Sequence, residues 1–227
     1  MEDIQARLNQ LEADLSAARA ELSALRQSIK TNKLEIVDVA GKTRMLMGAL
    51  PGGQTLLAIL DEKGNKRAAL GVDANGPALV MFDEKGKGRA LLAMHPVGPQ
   101  LALLGDDGHA RAMITSLPTE TGLELRDENG KPRAHLRVIA GKPDLLLLDE
   151  KGKARAIVEQ TSNGAALNLF DQNGTTRAGV TVDGHDAGMG LLDEKGITRA
   201  IVGSSAEGSF VRLLDRDKKP IWQAPPR

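Results

Sequence analysis

Residues 67–88 read RAALGVDANGPALVMFDEKGKG, and this stretch decides how the chain is built. Arg67 to Val72 is a short run of alternating character, and Asp73-Ala74-Asn75-Gly76-Pro77 is a turn cluster. Leu79-Val80-Met81-Phe82 is a second apolar run, closed by Asp83-Glu84-Lys85-Gly86. Two short strands joined by a tight turn make a β-hairpin. An Asp-x-x-Gly segment suits a type I turn with glycine in the left-handed position of a G1 bulge. Aspartate can accept hydrogen bonds from the turn amides, and glycine alone reaches positive φ without strain.

The same unit recurs outward in both directions. Arginines stand at 44, 67, 89, 111, 133, 155, 177 and 199, spaced 23 residues once and 22 thereafter. Three residues before each lies a glycine, and three before that an aspartate at 38, 61, 83, 127, 149, 171 and 193; Gly105 interrupts the series. The repeat-defining residues are therefore Asp61, Gly64 and Arg67; Asp83, Gly86 and Arg89; Gly108 and Arg111; Asp127, Gly130 and Arg133. They continue with Asp149, Gly152 and Arg155; Asp171, Gly174 and Arg177; Asp193, Gly196 and Arg199. Alanine follows the arginine from 68 to 200, and aliphatic residues recur on both strands. The other turn of each unit varies, as in Val97-Gly98-Pro99, Ser162-Asn163-Gly164 and Gly184-His185-Asp186. A fixed period of this length predicts a repeat architecture whose units bury their apolar faces only against neighbours. Variable loops on a constant scaffold are the expected recognition surface.

The first thirty residues follow a different rule. Ile4, Leu8, Leu11, Leu15, Ala18, Leu22, Leu25 and Ile29 are spaced alternately by four and three, which is a heptad seam. In a parallel, in-register pairing the flanking charges match in sign: Arg7 with Glu12, Asp14 with Arg19, and Glu21 with Arg26. The segment predicts a parallel homo-oligomeric coiled coil ending near Thr31-Asn32-Lys33. The alternative is an amphipathic helix packed on its own chain. Leucine at the a positions is not the β-branched choice of dimers, and a trimer is expected because the β region that follows suits three-fold packing.

The expected organisation is a coiled-coil segment over 1–32, an eight-fold hairpin region over 33–214, and an atypical capping repeat over 215–227. The last unit carries Lys218 and Ile221 where glycine and arginine stand elsewhere, and the only tryptophan, Trp222, follows. Ile221 and Trp222 before a proline-rich end read as a cap. The expected fold is an all-β trimeric prism or shaft of sixteen strands of five to six residues. A four-bladed β-propeller, with two hairpins per blade, is the alternative. Strands this short, without aromatic girdles, exclude a membrane barrel.

Composition narrows the function classes. The 227 residues carry 30 basic and 30 acidic side chains, so the clustered positive surface of a nucleic-acid binder is not expected. Aromatic residues make up 2%, which suits a thin core of aliphatic side chains. With no cysteine there is no disulfide, thiolate metal site or thiol nucleophile. No apolar run is long enough to cross a membrane as a helix, and Met1-Glu2-Asp3 does not open a signal peptide. The compartment stays open: cytoplasm, cell surface or virion. His95, His109, His135 and His185 fall at unrelated repeat positions. No phosphate-binding loop or dinucleotide fingerprint is present, so no catalytic residue, metal or cofactor is expected. The Asp and Arg ladders could form an anion or glycan track, but arginine stems packed over aliphatic side chains and paired with aspartates or carbonyls explain their regularity.

The order of coiled coil, β-repeat shaft and cap resembles trimeric fibres such as phage tail fibres and spikes, and the stalks of trimeric bacterial surface adhesins. The Asp-x-x-Gly-x-x-Arg-Ala unit is similar to repeats found in bacterial proteins. Its turn resembles that of Rhs/YD repeats without their tyrosines, as at Phe170-Asp171-Gln172-Asn173-Gly174. The resemblance implies a non-enzymatic homotrimeric spacer or scaffold. Any ligand would be a glycan or surface receptor held by the loops around 95–98, 117–122 and 183–188 or by the tip.

Overall fold

A computed structural model describes residues 2–27 and 31–225. One helix, α1 (Glu2–Gln27), precedes eighteen strands. They are β1 (Lys33–Val37), β2 (Thr43–Ala49), β3 (Thr55–Leu60), β4 (Lys66–Asp73), β5 (Gly76–Phe82) and β6 (Gly88–His95). Next come β7 (Gly98–Leu104), β8 (Ala110–Ser116), β9 (Glu120–Arg126), β10 (Pro132–Ile139), β11 (Lys142–Leu148) and β12 (Ala154–Gln160). The last are β13 (Gly164–Phe170), β14 (Thr176–Asp183), β15 (Asp186–Leu192), β16 (Thr198–Ser205), β17 (Gly208–Leu214) and β18 (Pro220–Ala224).

Each strand pairs antiparallel with the one before and the one after it, from β1 with β2 to β17 with β18. The result is one open meandering sheet of eighteen strands. At about 4.8 Å per strand its long direction is roughly 80 Å, less what twist removes. This unbroken pairing overturns the propeller alternative, in which the ladder would stop after every fourth strand.

Two further expectations are corrected. There are eighteen strands rather than sixteen, because Lys33–Val37 and Pro220–Ala224 each add one to the ladder. Most strands run seven or eight residues rather than five or six. The extra length comes from turns that are tighter than their composition suggests. Asp73 pairs directly with Gly76, His95 with Gly98 and Asp183 with Asp186, leaving two residues in each connection.

A meander places alternate turns on opposite long edges. The Asp-x-x-Gly turns, odd strand to even strand, form one edge; the variable turns form the other. The ladder tolerates its open ends through short strands: β1 and β18 have five residues each, and Pro220 begins β18.

The core is thin. The buried apolar residues are all alanines: Ala58, Ala69, Ala93, Ala102 and Ala166. Among the described residues no element is laid over either face of the sheet, and α1 makes no contact with any strand. The described side chains of α1, residues 4–23, are exposed all round. The described part of the helix therefore does not pack on the described strands.

Candidate interaction surface

The constant edge is a ladder of near-identical turns. In the unit at 83–89, the Gly86 amide donates to the Asp83 carbonyl at 3.1 Å and the Asp83 amide to the Lys87 carbonyl at 2.9 Å. Gly86 has φ of 76°. Oδ1 of Asp83 accepts from the amides of Lys85 and Lys87 at 2.9 and 3.0 Å. This is the type I turn with a G1 bulge that the spacing predicts. Sequence spacing missed the fourth unit, where Asp107 replaces the absent aspartate. Its Oδ1 accepts from the His109 amide at 3.0 Å, and its Oδ2 from Arg111 at 2.7 Å. In the last unit Lys218 occupies the glycine position with φ of 63°, and Asp215 still organises the turn.

The arginines owe their direction to a second irregularity. Ala68 faces Ile59 while Lys66 faces Leu60, so Arg67 is an extra residue in its strand. The same one-residue shift recurs at Arg89, Arg111, Arg133, Arg155, Arg177 and Arg199, and at Ile221 in the last unit. A bulge re-aims the side chain it carries. Each arginine turns to an aspartate of its own turn: Arg67–Asp61 at 4.0 Å, Arg89–Asp83 at 3.8 Å, Arg177–Asp171 at 3.7 Å and Arg199–Asp193 at 3.1 Å. Arg133 pairs with Asp127 and Arg155 with Asp149. Nη1 of Arg133 reaches the next turn, donating to the Asp149 carbonyl at 2.7 Å; Arg111 and Arg155 reach Asp127 and Asp171 in the same way. Turn amides and the adjacent arginine hold the carboxyls of Asp83, Asp149 and Asp193 below the usual carboxylate range. These carboxyls are occupied within their own turns, and the arginines join one turn to the next.

The two faces of the sheet differ sharply. On one, a middle row runs from Leu34 through Met47, Leu57 and Leu70 to Val202, Val211 and Ala224, each residue paired with the next across the ladder. Every member is aliphatic or methionine. A second row, nearer the Asp-x-x-Gly edge, runs from Ile36 to Trp222 and is also wholly apolar. From β4 to β17 it alternates Ala68, Met81, Ala90, Leu103 and onward to Ala200 and Leu213. A third row, nearer the variable edge, contains Val72, Pro77, Met94, Thr121, Val138 and Ser204, and no charge. These side chains stand open: Leu136 is 55% exposed and Trp222 53%. Trp222 sits opposite Leu213, where the units from Ala68 to Ala200 have alanine, and Ile221 holds the bulge position of the arginines.

The opposite face is mixed. It carries the buried alanines and, on β9 to β11, a polar cluster that spacing rules did not single out. Arg137 makes two hydrogen bonds to Asp144, at 3.0 and 2.7 Å, and Arg126 pairs with Glu124. His135 Nε2 lies 3.4 Å from Glu124 Oε2. The other histidines stand apart: His109 on the constant edge, His95 and His185 beside variable turns. Among the described residues no three or more His, Cys, Asp or Glu side chains converge as a metal site. No described helix is long and apolar enough to cross a membrane.

On α1 the seam residues Ile4, Leu8, Leu11, Leu15, Ala18 and Leu22 are exposed, as are Arg7, Glu12, Asp14, Arg19 and Glu21. Leu25 and Arg26 lie in the helix, and Ile29 lies outside the described residues.

No protein-family model matches the chain, and no curated protein is significantly similar to it. A solved structure described as a putative 6-phosphogluconolactonase from Bacteroides uniformis overlaps 85% of this chain and 94% of its own. The identity is 10% and the TM-score 0.20, an overlap too slight to bear on fold or activity. What remains is the class that the fold defines: an all-β tandem-hairpin repeat protein with an N-terminal helix.

Proposed function

We propose that the chain is a non-enzymatic structural protein, a parallel homotrimer in which three N-terminal helices form a coiled coil and three sheets form a β shaft. It serves as a spacer or scaffold, in the manner of fibre and stalk proteins. One observation carries this reading: a sheet face without a charged residue runs across all eighteen strands, and none of the described residues covers it. Three rows about 7 Å apart over roughly 80 Å make an apolar surface of more than 1,000 Å², as an order of magnitude. Soluble monomers rarely expose a contiguous apolar patch beyond a few hundred Å², and about 800 Å² per partner suffices for a stable interface. The exposed heptad seam, with its sign-matched flanking charges, supports further copies of the same chain as the cover.

Light scattering coupled to size exclusion tests this. The expected mass is three times 24.1 kDa, with early elution from an elongated particle. A 24.1 kDa monomer at micromolar concentration overturns it.

Recognition, where present, falls to the variable edge, whose turns differ from unit to unit while their backbones stay in register. A glycan array probed with the intact protein tests that role, and no signal across a broad array counts against it.

A further inference from the structure

The uncharged face has a volume pattern beyond its apolarity, and resting on the homotrimer reading it names what each row touches. Along β9, Leu125 lies in the second row and Thr121 in the third; along β11 the pair is Leu147 and Pro143. On the even strands sizes reverse: Ala134 goes with Val138 on β10, and Ala178 with Val182 on β14. From β3 to β17 large and small thus exchange ends from strand to strand, with serines at 116 and 204 as the exceptions; the terminal β2, with Met45 and Ala49, and β18, with Trp222, depart from it. Within one chain the two positions are four residues apart, about 13.6 Å along an extended strand, and do not touch. Alternation along one row serves its own sheet, since Ala90 stands between Met81 and Leu103, but the opposite phase of the two rows joins no residues of one chain.

A rotation axis along the sheet, over the middle row, gives that phase a use. That symmetry keeps every strand level with its counterpart and brings the second row of one copy against the third row of the next. From β3 to β17, β8 and β16 apart, each level then pairs one large side chain with one small one, as close packing requires. The size profile across the strand selects three copies. The middle row is never alanine before β18, while both flanking rows are about half small residues. A triangular cross-section with seven-residue sides of about 24 Å leaves roughly 7 Å between the middle row and the axis and tapers to nothing at the corners. Two sheets about 10 Å apart would need equal filling of all three rows.

We infer that three copies pack through this face in register, the second row of each against the third row of its neighbour. The absence of native cysteine makes the test direct. Under mild oxidation the double variant Leu125→Cys/Thr121→Cys should give a covalent trimer on non-reducing denaturing gels. An offset pair, Leu125→Cys/Ala165→Cys, should not, because the two positions lie four strands apart, about 19 Å. A volume exchange supplies a second readout. Ala134→Leu and Val138→Ala should each lower the Tm, and the double variant should recover part of the loss, although additivity is expected for sites this far apart in one chain. Cross-linking that stops at dimers, efficient cross-linking of the offset pair, or strictly additive Tm changes overturns the inference. Scattering on the same samples separates the failures. A trimeric mass with these negative results leaves the fibre reading intact, whereas a monomeric mass removes both.

Discussion

Arg133 donates from Nη1 to the backbone carbonyl of Asp149 at 2.7 Å, joining one Asp-x-x-Gly turn to the next. Its Nη2 meets Asp127 in its own turn. A guanidinium can serve two acceptors at once because its donors are fixed in a planar fork. Repeated at Arg111 and Arg155, the bond turns a row of separate turns into a continuous edge.

Replacing Arg133 with alanine should therefore cost about 1.5–3 kcal/mol, the range for hydrogen bonds to a charged group. At fixed protein concentration this is a Tm drop of a few degrees. Arg133→Lys should fall between the two, since an ammonium keeps the charge and loses the fork. A lysine variant as stable as the parent in thermal melts would show that charge alone matters.

Lys218 holds a left-handed conformation that a side chain disfavours by about 1 kcal/mol. Lys218→Gly should raise the Tm by a few degrees. The reverse change in a regular unit, Gly152→Lys, should lower it by a similar amount, since Gly152 has φ of 78°. Paired melts of the two variants check both signs.

Gly98 and Gly208 have similar dihedrals, with φ of 143° and 119°, but different surroundings. A Cβ on Gly98 would lie 2.1 Å from the Ser116 carbonyl oxygen, whereas one on Gly208 meets nothing within 4 Å. Gly98→Ala should cost more than Gly208→Ala by about 1–3 kcal/mol, measured as the difference between their denaturation midpoints.

The turn carboxylates make stability depend on acid. The carboxyls of Asp38, Asp61, Asp83, Asp107, Asp127, Asp149, Asp171 and Asp193 are held below their unfolded value. Amide hydrogen bonds are the leading cause at Asp83, while at Asp127 and Asp171 they and the nearby arginines outweigh an opposing burial effect. A depressed folded pKa means that unfolding takes up protons. The stabilisation is complete above the unfolded value of about 4 and is lost as pH falls through the lower folded values. Denaturant midpoints should hold steady from pH 7 to 5 and fall steeply below about pH 4. Asp149→Asn should start lower and show a shallower acid slope.

Much of this was legible in the residues. The Asp-x-x-Gly turn and the two-residue alternation are local effects, set by aspartate's acceptors, glycine's freedom at positive φ and the pleat of a strand. Gly86 and Asp83 sit where that reading put them. Asp107 was hidden because its carboxylate serves the turn from two residues further along, and spacing counts positions rather than oxygens. The bulge at Arg67 was hidden because it depends on which residue of β3 faces which residue of β4. The Arg137–Asp144 pair was hidden likewise, since it joins neighbouring strands through their register.

By itself, then, the sequence determined the repeat, its turns and the alternation along each strand, because these arise between residues close along the chain. The tertiary structure decided that the ladder never breaks, that the arginines tie one turn to the next, and that one uncharged face extends over all eighteen strands. Those outcomes depend on how successive hairpins register and twist against one another, and hairpins of nearly the same sequence could equally have divided into blades.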